Sequence, residues 1–317
     1  MDQPEFSVSN SEITTWQGCR RRWMLRYLYW YGVPESQVIP TGVMYLGTRI
    51  HTALEYWYGH GADPLYVLRV AYEAAGEGRD EYTRTELSKE HDVASRMVEG
   101  YVQWVAETGV DEGLTVIGAE RDVTVAGPHG VGLRARLDLK VRRDHDNAIM
   151  FIDHKTVGDL NPSWLELDGQ MRFYALIDKL AAVQAGAGER TDGGLYNMLK
   201  RSKRTARANP PFYKREEVRY NDDTLRATWT KVATIVSEIK NARERLMAGE
   251  DHLAIAFPTP SRECSWRCEY ATVCPLFDDG SRAWEAAEEG FAKVDPYGYY
   301  LPSELPELLV LRKEVTT

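Results

Sequence analysis

The chain has 317 residues, 43% of them hydrophobic and 11% aromatic, enough apolar side chain for one large domain with an inserted subdomain, or for two domains. It carries 48 acidic against 39 basic residues, a net charge of −9, which excludes a uniformly basic surface. A polyanionic partner would have to be met by local basic clusters. No apolar run reaches the length of a membrane span, so no membrane partner is expected. The segment Met1 to Phe6 has neither a basic leader nor an apolar signal stretch, and a reducing cytoplasm is the expected setting.

In chain order, Ser9-Asn10-Ser11-Glu12 has the form of a capping box. Ile13, Trp16, Trp23 and Tyr27 then recur near helical spacing. They predict a helix to about Tyr31 that carries Cys19 and the triplet Arg20-Arg21-Arg22. A break from Val33 to Pro40 precedes a second, amphipathic helix around Gly47 to Glu55. Its core face is Leu46, Ile50, Ala53, Leu54 and Trp57, with His51 at the edge. Leu65, Leu68 and Tyr72, then Val93, Met97, Tyr101 and Trp104, predict two more helices separated by the glycine-bearing stretch Gly76 to Asp80.

Three strands follow. The first, Leu114 to Glu120, offers Glu120 as a candidate carboxylate, and the second, Gly132 to Leu139, contains Asp138. The third begins in the apolar run Ala148 to Ile152 and continues into Asp153-His154-Lys155. A turn at Arg143 to Asn147 would pair the last two and bring Asp138 alongside Asp153. Side chains alternate faces along a strand, so Asp153 and Lys155 project together and His154 points away. Two carboxylates can share a hard divalent cation such as Mg, with the ammonium beside a metal-bound water. That arrangement suits phosphodiester hydrolysis. Taken alone, the same residues also describe an exposed hairpin with one salt bridge.

Beyond the hairpin, Gln170 and Tyr174 stand four apart on a predicted helix and share a face. Gly194 to Leu199 reads as a strand. It leads into a basic run, Lys200, Arg201, Lys203, Arg204 and Arg207, continued by Lys214 and Arg215. This run is either a phosphate-contacting surface or a solvated loop; Arg20 and Arg21 form a second such candidate. Val218 to Tyr220 suggests another strand, and Asp222 or Asp223 could cap a long helix to about Met247. The four cysteines are Cys19, Cys264, Cys268 and Cys274, three of them within eleven residues. Four thiolates satisfy either Zn or an iron-sulfur cluster, and spacing alone does not choose. Two disulfides are the alternative, disfavoured in a reducing compartment. The acidic stretch after Asp278 carries no usable motif, although Glu304 to Leu311 could form a short helix or bind a partner.

The ordered set G-x-x-x-H, D, D-x-K and Q-x-x-x-Y resembles the RecB-type branch of the PD-(D/E)XK nuclease superfamily, from about Ser7 to about Phe277. The resemblance implies a mixed α/β central sheet flanked by helices. It implies that Asp138 and Asp153 hold Mg or Mn with His51 as a further ligand, and that Lys155 positions or stabilises the nucleophile. Gln170 and Tyr174 would support the site and the DNA backbone, with Glu120 a further catalytic candidate. The cysteine pattern is similar to nucleases in which one N-terminal and three C-terminal cysteines enclose a [4Fe-4S] cluster. These include the AddB nuclease domain, the CRISPR-associated exonucleases of the fourth Cas family and phage-encoded relatives.

On this resemblance the chain is expected to be a metal-dependent DNA exonuclease acting on duplex ends or single strands. Phage or prokaryotic recombination, repair or processing would be its setting, with recombination or helicase proteins as partners. The expected organisation is N-terminal helices over 1–59, a helical insertion over 60–110, a nuclease core over 111–257, a cysteine loop over 258–280 and a tail over 281–317. Two other classes stay open: a non-catalytic, metal-stapled DNA-binding or recombination-accessory protein, and a zinc-binding regulatory module.

Overall fold

A computed structural model describes residues 6–186, 191–202 and 208–298, without the side chains of 119–121. The described residues fall into two compact units: those within 1–38, 124–135 and 226–298, and those within 39–123 and 136–225.

The second unit is built on a mixed sheet. In chain order the strands are β1 (Ser7–Ser9) and β2 (Tyr31–Gly32), both in the first unit, then β3 (Leu114–Ala126), β4 (Gly132–Arg143), β5 (Ile149–Val157), β6 (Gly193–Lys200) and β7 (Tyr213–Arg219). Within this unit β4 and β5 are antiparallel, β5 and β6 parallel, and β6 and β7 antiparallel, with β3 also on β4. The β4–β5 hairpin expected from the sequence forms: the Arg143 amide donates to the Ala148 carbonyl at 2.9 Å, and Asn147 adopts φ 53°. Asparagine tolerates that left-handed turn position because its side chain can bond locally.

Helices α1 (Asn10–Gly18) and α2 (Arg20–Trp23) belong to the first unit, and α3 (Val43–His60), α4 (Pro64–Gly76), α5 (Glu81–Thr108) and α6 (Gly169–Gln184) to the second. Their starts are written in short polar side chains that accept the first free backbone N–H groups. Asp63 caps α4 through the Leu65 amide at 2.9 Å, Asp80 caps α5 through Thr83 at 2.7 Å, and Asp168 caps α6 through Gln170 at 2.8 Å. The long helix α7 (Asp222–Met247) is capped by Asn221, whose Oδ1 accepts the Thr224 amide at 2.8 Å, one residue ahead of the expected Asp222. Apolar faces of α3, α4 and α5 share a core with Leu199 of β6 and Tyr213 of β7. The helices of 64–108 are thereby packed on the sheet.

In the first unit β1 runs parallel to the opening residues of β4. The long N-terminal helix expected from periodicity is broken: Cys19 is extended at φ −162°, separating α1 from α2, and a π-helical turn covers Met24–Leu28. The expected capping box is half formed. Ser9 Oγ accepts the Glu12 amide at 3.2 Å, but the buried Glu12 carboxylate is taken by Trp23 Nε1 at 2.9 Å and by the Tyr297 hydroxyl. A short α8 (His252–Ile255), α9 (Ala283–Gly290) and the strand β8 (Ala292–Lys293), antiparallel to β2, complete this unit. Among the described residues no helix is long and apolar enough to cross a membrane.

One buried ion pair holds the second unit away from any candidate chemistry. Lys140 Nζ donates to both Asp178 oxygens at 2.8 and 3.0 Å, and the Thr191 hydroxyl donates to one of them at 2.5 Å. Removing one member of a buried pair strands the other charge. Asp178→Ala should therefore cost about 3–5 kcal/mol in denaturant unfolding, a loss that Lys140→Met with Asp178→Leu should largely recover.

Candidate active site

The β4–β5 ladder ends at the pair Leu139 and Ile152, so Asp138 and Asp153 are the residues that immediately follow it on the two strands. Asp153 and Lys155 share one face of β5, with Lys155 Nζ 2.8 Å from Asp153 Oδ2. That oxygen is buried and makes no aligned hydrogen bond, so its contact with the ammonium is an ion pair. Lys155 also donates to Gln170 Oε1 at 2.8 Å, and Gln170 Nε2 donates to the Tyr174 hydroxyl at 2.6 Å. The Gln170 and Tyr174 stripe read from helical spacing thus becomes a clamp on the lysine.

Asp138 Oδ2 accepts the backbone N–H of His154 at 2.9 Å and lies 3.1 Å from His51 Nδ1. His51 reaches it because α3 comes close to β5 at Gly47, where a Cβ would sit 3.2 Å from Thr156 Oγ1. That close approach gives the glycine of the G-x-x-x-H spacing a steric reason. His51, Glu55 and Tyr58 follow one stripe of α3 and, with Asp138 and His154, line a small cavity of about one water's size.

These contacts separate the protonation behaviour of the two carboxyls. Burial raises the pKa of Asp138, but the facing His51 ring overrides it and holds the carboxyl well below the usual range. Asp153 goes the other way, pushed up to about 6 by burial and by Asp138, with the Lys155 ammonium limiting the rise. Burial opposes charge on Lys155, yet the Asp153 carboxylate keeps its pKa above the ordinary value. Burial likewise disfavours a charged His51, and Asp138 more than compensates, raising its pKa above 6.5.

His154, on the opposite face, is fixed by a buried network that the sequence did not announce. Its Nδ1 lies 2.9 Å from Asn197 Nδ2, which makes Nδ1 the acceptor of a neutral ring. Asn197 Oδ1 accepts from Arg215 Nε at 3.2 Å, and Arg215 bonds Asp111 at 2.6 Å and the Tyr101 hydroxyl at 3.2 Å. Tyr58 closes the set, 2.7 Å from Tyr101 and donating to Asp111 at 2.8 Å. The only sequence signal for these partners was indirect: Tyr58 stands seven residues after His51 on α3, and Asn197 is a polar residue inside an apolar strand.

Arg215 is thus a buried strut, and the expected extension of the basic run through it does not hold. The neighbouring Lys214 pairs with Glu216. Arg21 corrects another expectation: its side chain is 1% exposed and donates to the Ala256 carbonyl at 3.2 Å, the Cys274 carbonyl at 3.1 Å and Asp278 at 2.9 Å. A guanidinium sealed in this way cannot meet a phosphate. Arg20 is partly exposed over the Trp16 ring, 3.7 Å from Glu238. Lys200 ends β6 and Arg201 follows it; Lys203, Arg204 and Arg207 lie outside the described residues, as does the 304–311 segment, and the Glu120 side chain is outside them too.

The residues present suit a hard cation: a carboxylate held ionised, a buried carboxylate oxygen without an aligned donor, and an imidazole beside them. Among the described residues no three His, Cys, Asp or Glu side chains stand already arranged as a metal group. In the first unit all four cysteines are free thiols. Burial raises the pKa of Cys268 and Cys274, and both lie in the electrostatic reach of Cys19; the Cys264 sulfur instead accepts the Ser261 amide at 3.3 Å.

Residues 7–275 match the PD-(D/E)XK nuclease superfamily. The chain belongs to that superfamily. The match spans both the Asp138, Asp153 and Lys155 constellation and the cysteines, and makes the protein a member of a phosphodiester-hydrolysing family. Among solved structures, a candidate exonuclease from Eubacterium rectale is 12% identical, covering 77% of this chain and 82% of its own at a TM-score of 0.44. The protein SSO0001 is 11% identical over 87% of this chain and 89% of its own, at a TM-score of 0.35. Both scores lie below 0.5, and the family assignment rests on the sequence match. No curated protein matches the chain.

The ring environments have a direct readout. In metal-free protein His51 should stay protonated to a pH above 6.5, whereas His154, buried, should stay neutral down to about 3. The stabilisation from a protonated His51 is fully present below 6.5 and is lost as pH rises through its higher folded value. Ring-nitrogen NMR resolves the two, and a common midpoint near 6.5 would contradict this geometry.

Proposed function

We propose that this superfamily member is a Mg- or Mn-dependent deoxyribonuclease acting as an exonuclease on DNA ends or single strands. The observation that carries the reading is the capture of Lys155 between Asp153 and Gln170, each at 2.8 Å, on the strand facing Asp138. Asp138, Asp153 and His51 would hold the cation. When bound, it supplies polarisation of a phosphate oxygen and a lower pKa for the attacking water. The protein's own part is positional and electrostatic. Gln170 spends its carbonyl on Lys155 and its amide on Tyr174, which limits the lysine to one orientation. Its ammonium then stands ready for the negative charge that builds on phosphorus oxygens during attack, where preorganised charge is most effective. Glu120 is assigned the role of a further carboxylate.

Lys200, Arg201 and Arg20, with Lys203, Arg204 and Arg207 of the basic run, are assigned to phosphate contact. DNA as substrate, the exonuclease mode and a role in phage or prokaryotic recombination, repair or processing rest on the resemblance of the motif set. Lys155→Ala should lower Mg-supported cleavage by about 10²–10³-fold while leaving DNA affinity without divalent ion within about twofold of wild type. End-labelled and circular DNA, single- and double-stranded, would separate end dependence from strand preference; undiminished turnover in the variant would remove the mechanism.

Cys19, Cys264, Cys268 and Cys274 are proposed to hold a [4Fe-4S] cluster in the first unit. The mutual proximity of the Cys19, Cys268 and Cys274 thiols supports this, and Cys264 would have to exchange its Ser261 amide contact for the metal. Anaerobically purified protein should be brown and contain iron, and Cys268→Ala should lose both the colour and thermal stability. Stoichiometric zinc without iron would refute the assignment.

A further inference from the structure

The loop between β5 and α6 presents an aromatic surface that the reaction as described leaves unused. Trp164 is 43% exposed and Leu167 is 76% exposed. Trp164 packs edge-on against Tyr196 with ring centroids 6.1 Å apart, and the Leu167 amide donates to the Trp164 carbonyl at 3.0 Å. Tyr196 in turn is fastened by its hydroxyl, which donates to Asp168 at 2.9 Å, the residue that caps α6. In the parallel β5–β6 register Tyr196 pairs with Asp153, Met198 with Lys155 and Lys200 with Val157. Paired residues on parallel strands point to the same face. Tyr196 therefore stands on the same face as Asp153, and Trp164 covers its edge.

The same register puts Lys200 on the face of Asp153 and Lys155, one strand over and two steps beyond Lys155, with Cα atoms roughly 8 Å apart by ordinary strand spacings. Among the described residues its ammonium has no carboxylate partner. On the face of Asp153 and Lys155 there thus stand a cation with no carboxylate partner among the described residues and, on the neighbouring strand, a tyrosine backed by an exposed indole. The loop itself carries exposed Asp159 and Glu166, so general positive charge cannot be what draws a ligand to it.

Resting on the nuclease reading, the geometry points to Trp164 as the platform on which an unpaired base beside the cleaved bond stacks, with Lys200 holding a neighbouring phosphate. The ligand is single-stranded nucleic acid, because a base inside a duplex is stacked on both faces and must leave the helix to lie flat on an indole. Aromatic platforms of this kind act on any base, since each has a π-face. The loop would then favour unpaired ends over intact duplex.

Kinetics on a single-stranded oligonucleotide, intact or with one abasic nucleotide moved stepwise past the cleaved bond, test this. Trp164→Ala should raise KM by about 5- to 150-fold, the range for losing one stacked base, with a smaller effect on kcat. Trp164→Phe should recover most of that loss, and it also shows that the loop still folds. An abasic nucleotide at the stacked position should bring wild type down to the Trp164→Ala level and cost that variant nothing more. In a Lys155→Ala background without divalent ion, Lys200→Ala should reduce the salt slope of single-strand binding by about 0.7. Wild-type KM in Trp164→Ala, abasic losses that simply multiply with it at every position, or an unchanged salt slope would overturn the proposal. A wild type that cuts DNA normally beside an unaffected Trp164→Ala removes this platform alone, whereas a wild type that cuts no DNA with Mg or Mn removes the nuclease reading and the platform together.

Discussion

One oxygen atom joins the three elements that make the site. Asp138 Oδ2 receives the His154 amide from β5 and faces His51 Nδ1 from α3, so a β4 side chain ties a neighbouring strand and a helix at a single point. The backbone contact depends on strand register: a slip of one residue would turn Asp138 to the opposite face and pair the wrong side chains. At the helix contact Gly47 lies close against Thr156, where a Cβ would sit 3.2 Å from the hydroxyl. From this junction the electrostatics follow. Asp138 stays ionised because its partners are positive or donate hydrogen bonds, while Asp153 is buried beside it and is pushed toward the protonated form. Two carboxyls only a strand apart are thereby made chemically distinct, a common arrangement where one group must stay charged and another must respond to a ligand.

Behind β5 the second unit places polar side chains where a purely apolar core would pack more simply. His154, Asn197, Arg215, Asp111, Tyr101 and Tyr58 draw on β5, β6, β7, α5, α3 and the turn after α5. A buried polar set is stabilising only when its members satisfy one another. Here the pairing also has a directional result: the middle residue of the D-x-K triplet is locked on one face, which leaves Asp153 and Lys155 no freedom to rotate off the other. Arg215 is the cationic member, and Asp111 offsets the cost of burying it.

The first unit joins distant parts of the chain with ordinary protein groups around its cysteines. Arg21 bridges to the carbonyls of Ala256 and Cys274 and to Asp278, Glu269 pairs with Arg22 and Arg26, and β2 pairs with β8. Closing such long loops is costly in chain entropy, and here the closure is shared among several contacts. A metal cluster in this unit would add to an existing bracket.

Much of the candidate site's geometry could be read from residue order, because it is carried by local rules. Strand alternation placed Asp153 with Lys155, the hairpin turn aligned Asp138 with them, and helical spacing joined Gln170 to Tyr174; each is settled by the backbone period within a few residues. Helix starts were legible for the same reason, in short side chains that satisfy free amides. What the chain order could not decide were partners brought together from far apart. Arg21 and Arg215 look like surface cations in a basic run, and only packing buried them against Cys274 and Asp111. Cys19 sits in an apolar helical rhythm, yet the helix is interrupted there by an extended residue. Trp164 is one tryptophan among nine in sequence, and its packing on Tyr196, the β6 partner of Asp153, exists only in the fold. Local periodicity is set by covalent geometry and is visible in a string of letters; burial and partnership depend on contacts between residues far apart in the chain, and those exist only once it has folded.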